Sequence, residues 1–152
     1  MIKILDCTLR DGGYYTNWDF SSDVVKTYIE TTNKLPVDYL EVGYRNKPTK
    51  EYMGKFGYTP VSILKKLRKS SNKKLAVMLN EKSTLPEDLD ELLTPIKGLA
   101  DMVRLAVDPK NFERAVVLAK AVKALGFEVA FNTMYMSKRS NKYKGSLHNL
   151  TE

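Results

Sequence analysis

Leu5-Asp6-Cys7-Thr8-Leu9-Arg10-Asp11-Gly12-Gly13 sets an arginine and a carboxylate side by side where a short apolar strand meets a pair of glycines. Ile2, Ile4 and Leu5 read as a buried strand, and the glycine pair lets the backbone leave it sharply, which places Arg10 and Asp11 at the strand's carboxyl end. In α/β folds that end carries the chemistry. Asp11 offers hard oxygen to Mg²⁺ or Mn²⁺, and the planar fork of Arg10 can grip a carboxylate or stabilise an enolate oxygen as charge develops on it. An ordinary ion pair is the structural alternative.

Beyond this run, strand and helix patterns alternate. Ser21-Ser22-Asp23 caps a helix to about Lys34, whose Val24, Val25, Tyr28 and Ile29 form one apolar stripe. The strand Tyr39 to Gly43 follows, then a loop with Pro48, Gly54 and Gly57, a helix from Thr59-Pro60 to Lys69, and a third strand, Leu75 to Leu79. Leu85 to Leu89 opens a third helix or pair of turns, Met102 to Val107 is a fourth strand, Asn111 to Leu125 a helix closed by Gly126, and Phe127 to Phe131 a fifth strand. Nearly continuous apolar strands separated by helices mark a parallel sheet buried on both faces, so the expected fold is α/β, parallel (β/α) repeats with about five strands and four helices.

The opening run resembles the Asp-x-Thr-Leu-Arg-Asp-Gly signature of the metal-dependent pyruvate aldolase and acyl-CoA lyase superfamily, which includes 4-hydroxy-2-oxovalerate aldolase, hydroxymethylglutaryl-CoA lyase and isopropylmalate synthase. Asp38-Tyr39-Leu40-Glu41-Val42-Gly43-Tyr44 is similar to that family's second strand, where a Glu in an apolar-Glu-Val-Gly context joins the Arg and Asp. Two motifs in order, about thirty residues apart as a βα repeat places them, are more specific than either alone. The resemblance implies a (β/α)₈ barrel, which needs roughly 250 residues, so residues 1–138 correspond to its N-terminal half, a partial TIM barrel, followed by a polar basic tail, 139–152.

The resemblance also implies roles. Asp11 would be a metal ligand, Arg10 would orient an oxo acid and stabilise its enolate, and Glu41 would support Arg10 or the metal's water shell. Arg104 is similar to the family's strand-end arginine, and Asn132 and Ser137 to its fifth-strand polar positions, as substrate-binding residues; a buried structural Arg is the alternative at 104. Asp6 reads as a supporting carboxylate, and Asn80 and Glu81 would face the same pocket. Two departures stand out. A His base lies three residues beyond the metal-binding Asp in the hydroxy-oxovalerate aldolases; this chain has Tyr14 there, the third catalytic candidate, which can shuttle a proton although a reference pKa near 10 makes it a poor base. The family's His-x-His metal pair is missing, since the single His, His148, lies beyond the match. One carboxylate leaves most of a divalent ion's shell to water, so the family implies Mn²⁺ or Mg²⁺ while its presence on this chain stays open.

Composition narrows the remaining classes. At 152 residues and 43% hydrophobic, one ordinary domain is expected, and a single Cys excludes an internal disulfide. That cysteine usage and a strand-like N-terminus point to a reducing cytoplasm, and no apolar stretch is long enough to span a membrane. The formal charge is +7, much of it in residues 65–74, KKLRKSSNKK. There Ile63, Leu64 and Leu67 alternate with the cations as on a solvated helix face, without the aromatic interleaving of a nucleic-acid surface.

The function expected is thus cleavage of a 4-hydroxy-2-oxo acid to pyruvate and an aldehyde, by a chain that is truncated and inactive alone. Acyl-CoA lyase or synthase chemistry of the same superfamily is the alternative, and so is a non-catalytic half-barrel that binds an anion or self-assembles. The partners expected are a small 2-oxo acid and further copies of the chain, joined as a homo-oligomer through exposed strand edges, with no nucleic acid and no membrane.

Overall fold

A computed structural model describes residues 2–135. Ser137, His148 and the 139–152 tail lie outside the described residues. Five strands, β1 (Leu5–Asp6), β2 (Tyr39–Tyr44), β3 (Lys74–Asn80), β4 (Met102–Val107) and β5 (Glu128–Thr133), form one parallel sheet in the order β1-β2-β3-β4-β5. Between them run α1 (Thr8–Thr16), α2 (Ser22–Thr32), α3 (Lys55–Tyr58), α4 (Val61–Ser70), α5 (Leu89–Leu93) and α6 (Phe112–Ala124), with short 3₁₀ turns around α5 and before α6. Side chains span non-adjacent strands, Glu41 of β2 reaching Arg104 of β4 and Tyr39 of β2 reaching Glu128 of β5, so the sheet curls into a half-barrel.

Strand alternation sorts the residues onto two faces. Leu40, Val42, Leu75, Val77, Leu79, Val103, Leu105 and Val107 point outward into the core beneath the helices, together with Ile29, Leu64, Leu67, Leu93, Leu118 and Val122. The intervening residues line the concave face. At its base the Tyr39 hydroxyl donates to Glu128 Oε2 at 2.5 Å and Lys74 pairs with the same carboxylate. Lys74, then Tyr39, hold Glu128 below the usual carboxylate range, so this cluster stabilises the fold above the ordinary glutamate pKa and is lost as pH falls through the lowered one.

Three expectations change. The described residues hold six α-helices rather than four, because α1 and α3 occupy stretches whose glycines read as turns. Gly12 and Gly13 are inside α1, where the Asp11 N–H donates to the Cys7 carbonyl at 2.8 Å, and Gly13 is needed for close packing: a Cβ there would run into the Trp18 indole. The chain turns instead at Asn17 and Trp18, both left-handed with φ of 50° and 56°. The first strand is also shorter and less buried than its apolar residues suggest. Ile2 is 93% exposed and Ile4 50%, because β1 is an edge strand with a neighbour on one side only.

Candidate functional site

The site is assembled from α1, β2, β4 and β5. Burial of Leu9 pins the first turn of α1 against the sheet and brings the next residue, Arg10, over β2 with only 6% of its surface exposed. Its Nε donates to Glu41 Oε1 at 2.7 Å, and its Nη1 pairs with Asp11. Glu41 is fully buried, and its two oxygens also accept from Arg104 Nη1 at 3.2 and 3.3 Å. Arg104 Nη2 donates to Asn132 Oδ1 at 2.8 Å. Arg10, Asp11, Glu41, Arg104 and Asn132, separated by up to 122 positions in the chain, thus form one hydrogen-bonded row across the concave face. A cavity of about 370 Å³ opens beside it, with Arg104, Cys7, Met102 and Ala130 in its wall.

The electrostatics follow from burial. Loss of water works against the Arg10 charge, but the Glu41 hydrogen bond and charge, with Asp11, outweigh it and hold the guanidinium above its ordinary value. Two guanidiniums against Glu41 and Asp11 make the row neutral overall, but each arginine has five N–H donors, more than these partners engage. Such a face suits a planar, bidentate anion.

A layer above holds the candidate Tyr14 together with Tyr44, a residue that the sequence reading passed over. The register of β2 on β3 shifts between Glu41 and Gly43, so that Tyr44 pairs with Met78 where Glu41 pairs with Ala76. This bulge puts Tyr44, three residues after Glu41, on the same concave face. Gly43 is what allows it, because a Cβ there would strike the Phe56 carbonyl oxygen and the Thr59 hydroxyl. The Tyr44 and Tyr14 hydroxyls lie 2.9 Å apart, the Arg10 guanidinium carbon sits 6.0 Å from the Tyr44 ring centre, and Trp18 Nε1 donates to the Arg10 carbonyl at 2.9 Å. Burial and the Tyr14 hydrogen bond push the Tyr44 phenol above its ordinary value. Tyr14 itself is 62% exposed at the mouth. Only the Glu41-x-Gly43-Tyr44 spacing, read as a bulge, could have found Tyr44.

Two carboxylates are held for other purposes. Asp6 accepts from Thr8 and, at 2.5 Å, from the Tyr28 hydroxyl, which tethers β1 to α2. Glu81 does not face the pocket: it is buried against α6, paired with Arg114 Nε at 2.9 Å and accepting from Asn111.

A metal needs more donors than this face supplies. Glu41 is consumed by the arginines, no cluster of three or more His, Cys, Asp or Glu exists among the described residues, and Asp11 is engaged by Arg10 and by the Cys7 thiol at 3.1 Å. The described residues therefore do not by themselves fit a divalent cation.

Burial, then the Asp11 hydrogen bond and charge, push the Cys7 thiol up. A raised thiol pKa means less thiolate near neutrality, so iodoacetamide at pH 8 is expected to alkylate Cys7 several-fold more slowly in the folded chain than in urea. Asp11→Asn should speed the folded-state reaction; an unchanged rate would show that Asp11 does not act on the thiol.

Among the described residues no helix is long and apolar enough to cross a membrane. No family model and no curated protein matches the chain. Among solved structures it is similar to one described as the "N-terminal domain of a putative aldolase from Bacteroides vulgatus", with 68% identity and a TM-score of 0.93, over 98% of this chain and 50% of that one. The chain spans about half the length of that structure, and the fold they share is aldolase-like.

Proposed function

We propose that the concave face is the arginine-bearing part of an aldolase site that cleaves a 4-hydroxy-2-oxo acid to pyruvate and an aldehyde. The observation that carries the reading is the buried Glu41 carboxylate with Arg10 and Arg104 on either side of it, on the concave face of a parallel half-barrel. The likeness to a chain described as an aldolase domain, and the Leu-Arg-Asp-Gly and Leu-Glu-Val-Gly motifs, support it.

In this reading Arg104, steadied by Asn132, takes the substrate carboxylate, and Arg10 faces the 2-oxo group. A base beyond the residues described takes the 4-hydroxyl proton as that oxygen becomes the aldehyde's, the C3–C4 bond breaks, and its electrons run to the C2 oxygen as an enolate against Arg10. Protonation at C3 yields pyruvate. Tyr14, backed by Tyr44, is the described proton carrier at the mouth, better suited to giving a proton than to taking one. Asp11 alone does not supply the donors a divalent metal needs. Among the described residues β1 and β5 each have a strand neighbour on one side only, which favours self-association through strand pairing.

The test is pyruvate release from 4-hydroxy-2-oxopentanoate, coupled to NADH oxidation by lactate dehydrogenase, by a protein carrying this stretch within a complete barrel. Turnover that falls at least tenfold in Arg10→Leu is expected. Thioester cleavage without pyruvate release would point instead to acyl-CoA lyase chemistry, and activity toward neither would overturn the reading.

A further inference from the structure

On the opposite side of the sheet from the arginines, α2 and α4 leave a groove of about 410 Å³ between them. Val25 and Ile29 of α2 face Ile63 and Leu67 of α4 across it, and Phe20 packs edge to face on Phe56 at 5.5 Å to close one end. This size lies within the range of small-molecule pockets. The groove is also charged along its rim. Lys26, Lys55 and Lys66 line it against a single acid, Glu30, which already lies 3.9 Å from Lys26. Lys55 and Lys66 make no ion pair among the described residues.

We infer that this groove binds a straight-chain aliphatic carboxylate, its chain between the apolar faces of α2 and α4 and its head group at Lys55 and Lys66. Two features favour a small amphiphile over a protein helix. Ile29, Phe56 and Leu67 are only 2 to 3% exposed, so the apolar floor is narrow and recessed and offers far less than the roughly 800 Å² per partner of a stable protein interface. The unpaired charge is confined to long lysines that can follow a head group while their stems extend the apolar wall. The inference is independent of the proposed aldolase chemistry, since none of these residues lies on the concave face.

The test is titration of the chain with decanoate, below its micelle concentration, followed by backbone amide shifts and calorimetry. Saturable shifts at Val25, Ile29, Ile63 and Leu67 are expected, with affinity about five- to tenfold weaker in the Lys55→Gln/Lys66→Gln double variant and for decanol, as two partly exposed ion pairs allow. Both substitutions are at exposed positions, and unchanged far-UV circular dichroism will show that the fold is kept. No saturable binding would overturn the inference. Equal affinity of decanol and decanoate would overturn the head-group assignment and leave only an apolar groove. Binding of an acidic amphipathic peptide where decanoate fails would reassign the groove to a protein partner.

Discussion

Replacing Glu41 by leucine is expected to cost about 3–5 kcal/mol of folding stability, enough to lower the melting temperature by roughly 10 °C. Glu41 is fully buried, and its two oxygens are the shared counter-charge of Arg10 and Arg104, whose side chains are 8% and 19% exposed. Without it, Arg10 keeps only the half-exposed Asp11 and Arg104 keeps only Asn132. The penalty comes from the charges left behind rather than from the bonds lost, and this yields a second expectation. Pairing Glu41→Leu with Arg10→Met removes a buried charge along with its partner and should recover most of the loss. Urea unfolding of the two single variants and the double variant measures this. Single variants within 1 kcal/mol of the parent would mean that the carboxylate is not the electrostatic anchor of the concave face.

Arg10→Lys is the second large effect, and its readout is turnover. In a protein with the complete barrel, kcat for pyruvate release is expected to fall about 10²- to 10³-fold, as when one preorganised donor to an oxyanion is removed. The fork of Arg10 bonds Glu41 through Nε and Asp11 through Nη1 and still presents donors to a ligand. A lysine ammonium is a point charge on a flexible stem: it can satisfy Glu41 or reach the enolate, but its geometry does not allow both. Because the enolate exists only after bond cleavage, the loss should fall on kcat while KM changes little. Arg104→Lys, which alters the carboxylate contact, should instead act mainly on KM. Equal effects of the two variants on both constants would remove the division of labour between the arginines.

Much of this architecture was legible in the chain. The apolar runs at Leu75–Leu79 and Met102–Val107 gave strands to within a residue, since a strand buried on both faces leaves little ambiguity, and Gly126, with φ of 94°, ends α6 where its position suggested. Glycine misled where its role was packing rather than turning. Gly12 and Gly13 read as a sharp exit from β1, yet they serve the approach of Trp18 to a helix. The candidate site was half legible. Arg10, Asp11 and Glu41 carry motifs, but which neighbours meet them depends on curling of the sheet, which brings Arg104, and through it Asn132, to Glu41 and has no local signature. Tyr44 was missed because simple alternation from Glu41 puts it on the wrong face, and the bulge at Glu41–Gly43 that corrects this is a property of two strands together. Glu81, read as facing the pocket, was drawn away by Arg114 of α6, a partner 33 residues on.

An aldolase site here requires the concave face to hold an anion through Arg10 and Arg104. The most direct test is titration of the chain with oxalate, a planar dianion shaped like the pyruvate enolate, while the Nε–Hε resonances of the arginines are followed by NMR. Saturable shifts of the Arg10 and Arg104 signals, unaccompanied by shifts of Arg45, Arg68 or Arg114, are predicted. Shifts spread over the surface arginines, or none at Arg10 at saturating oxalate, would contradict it.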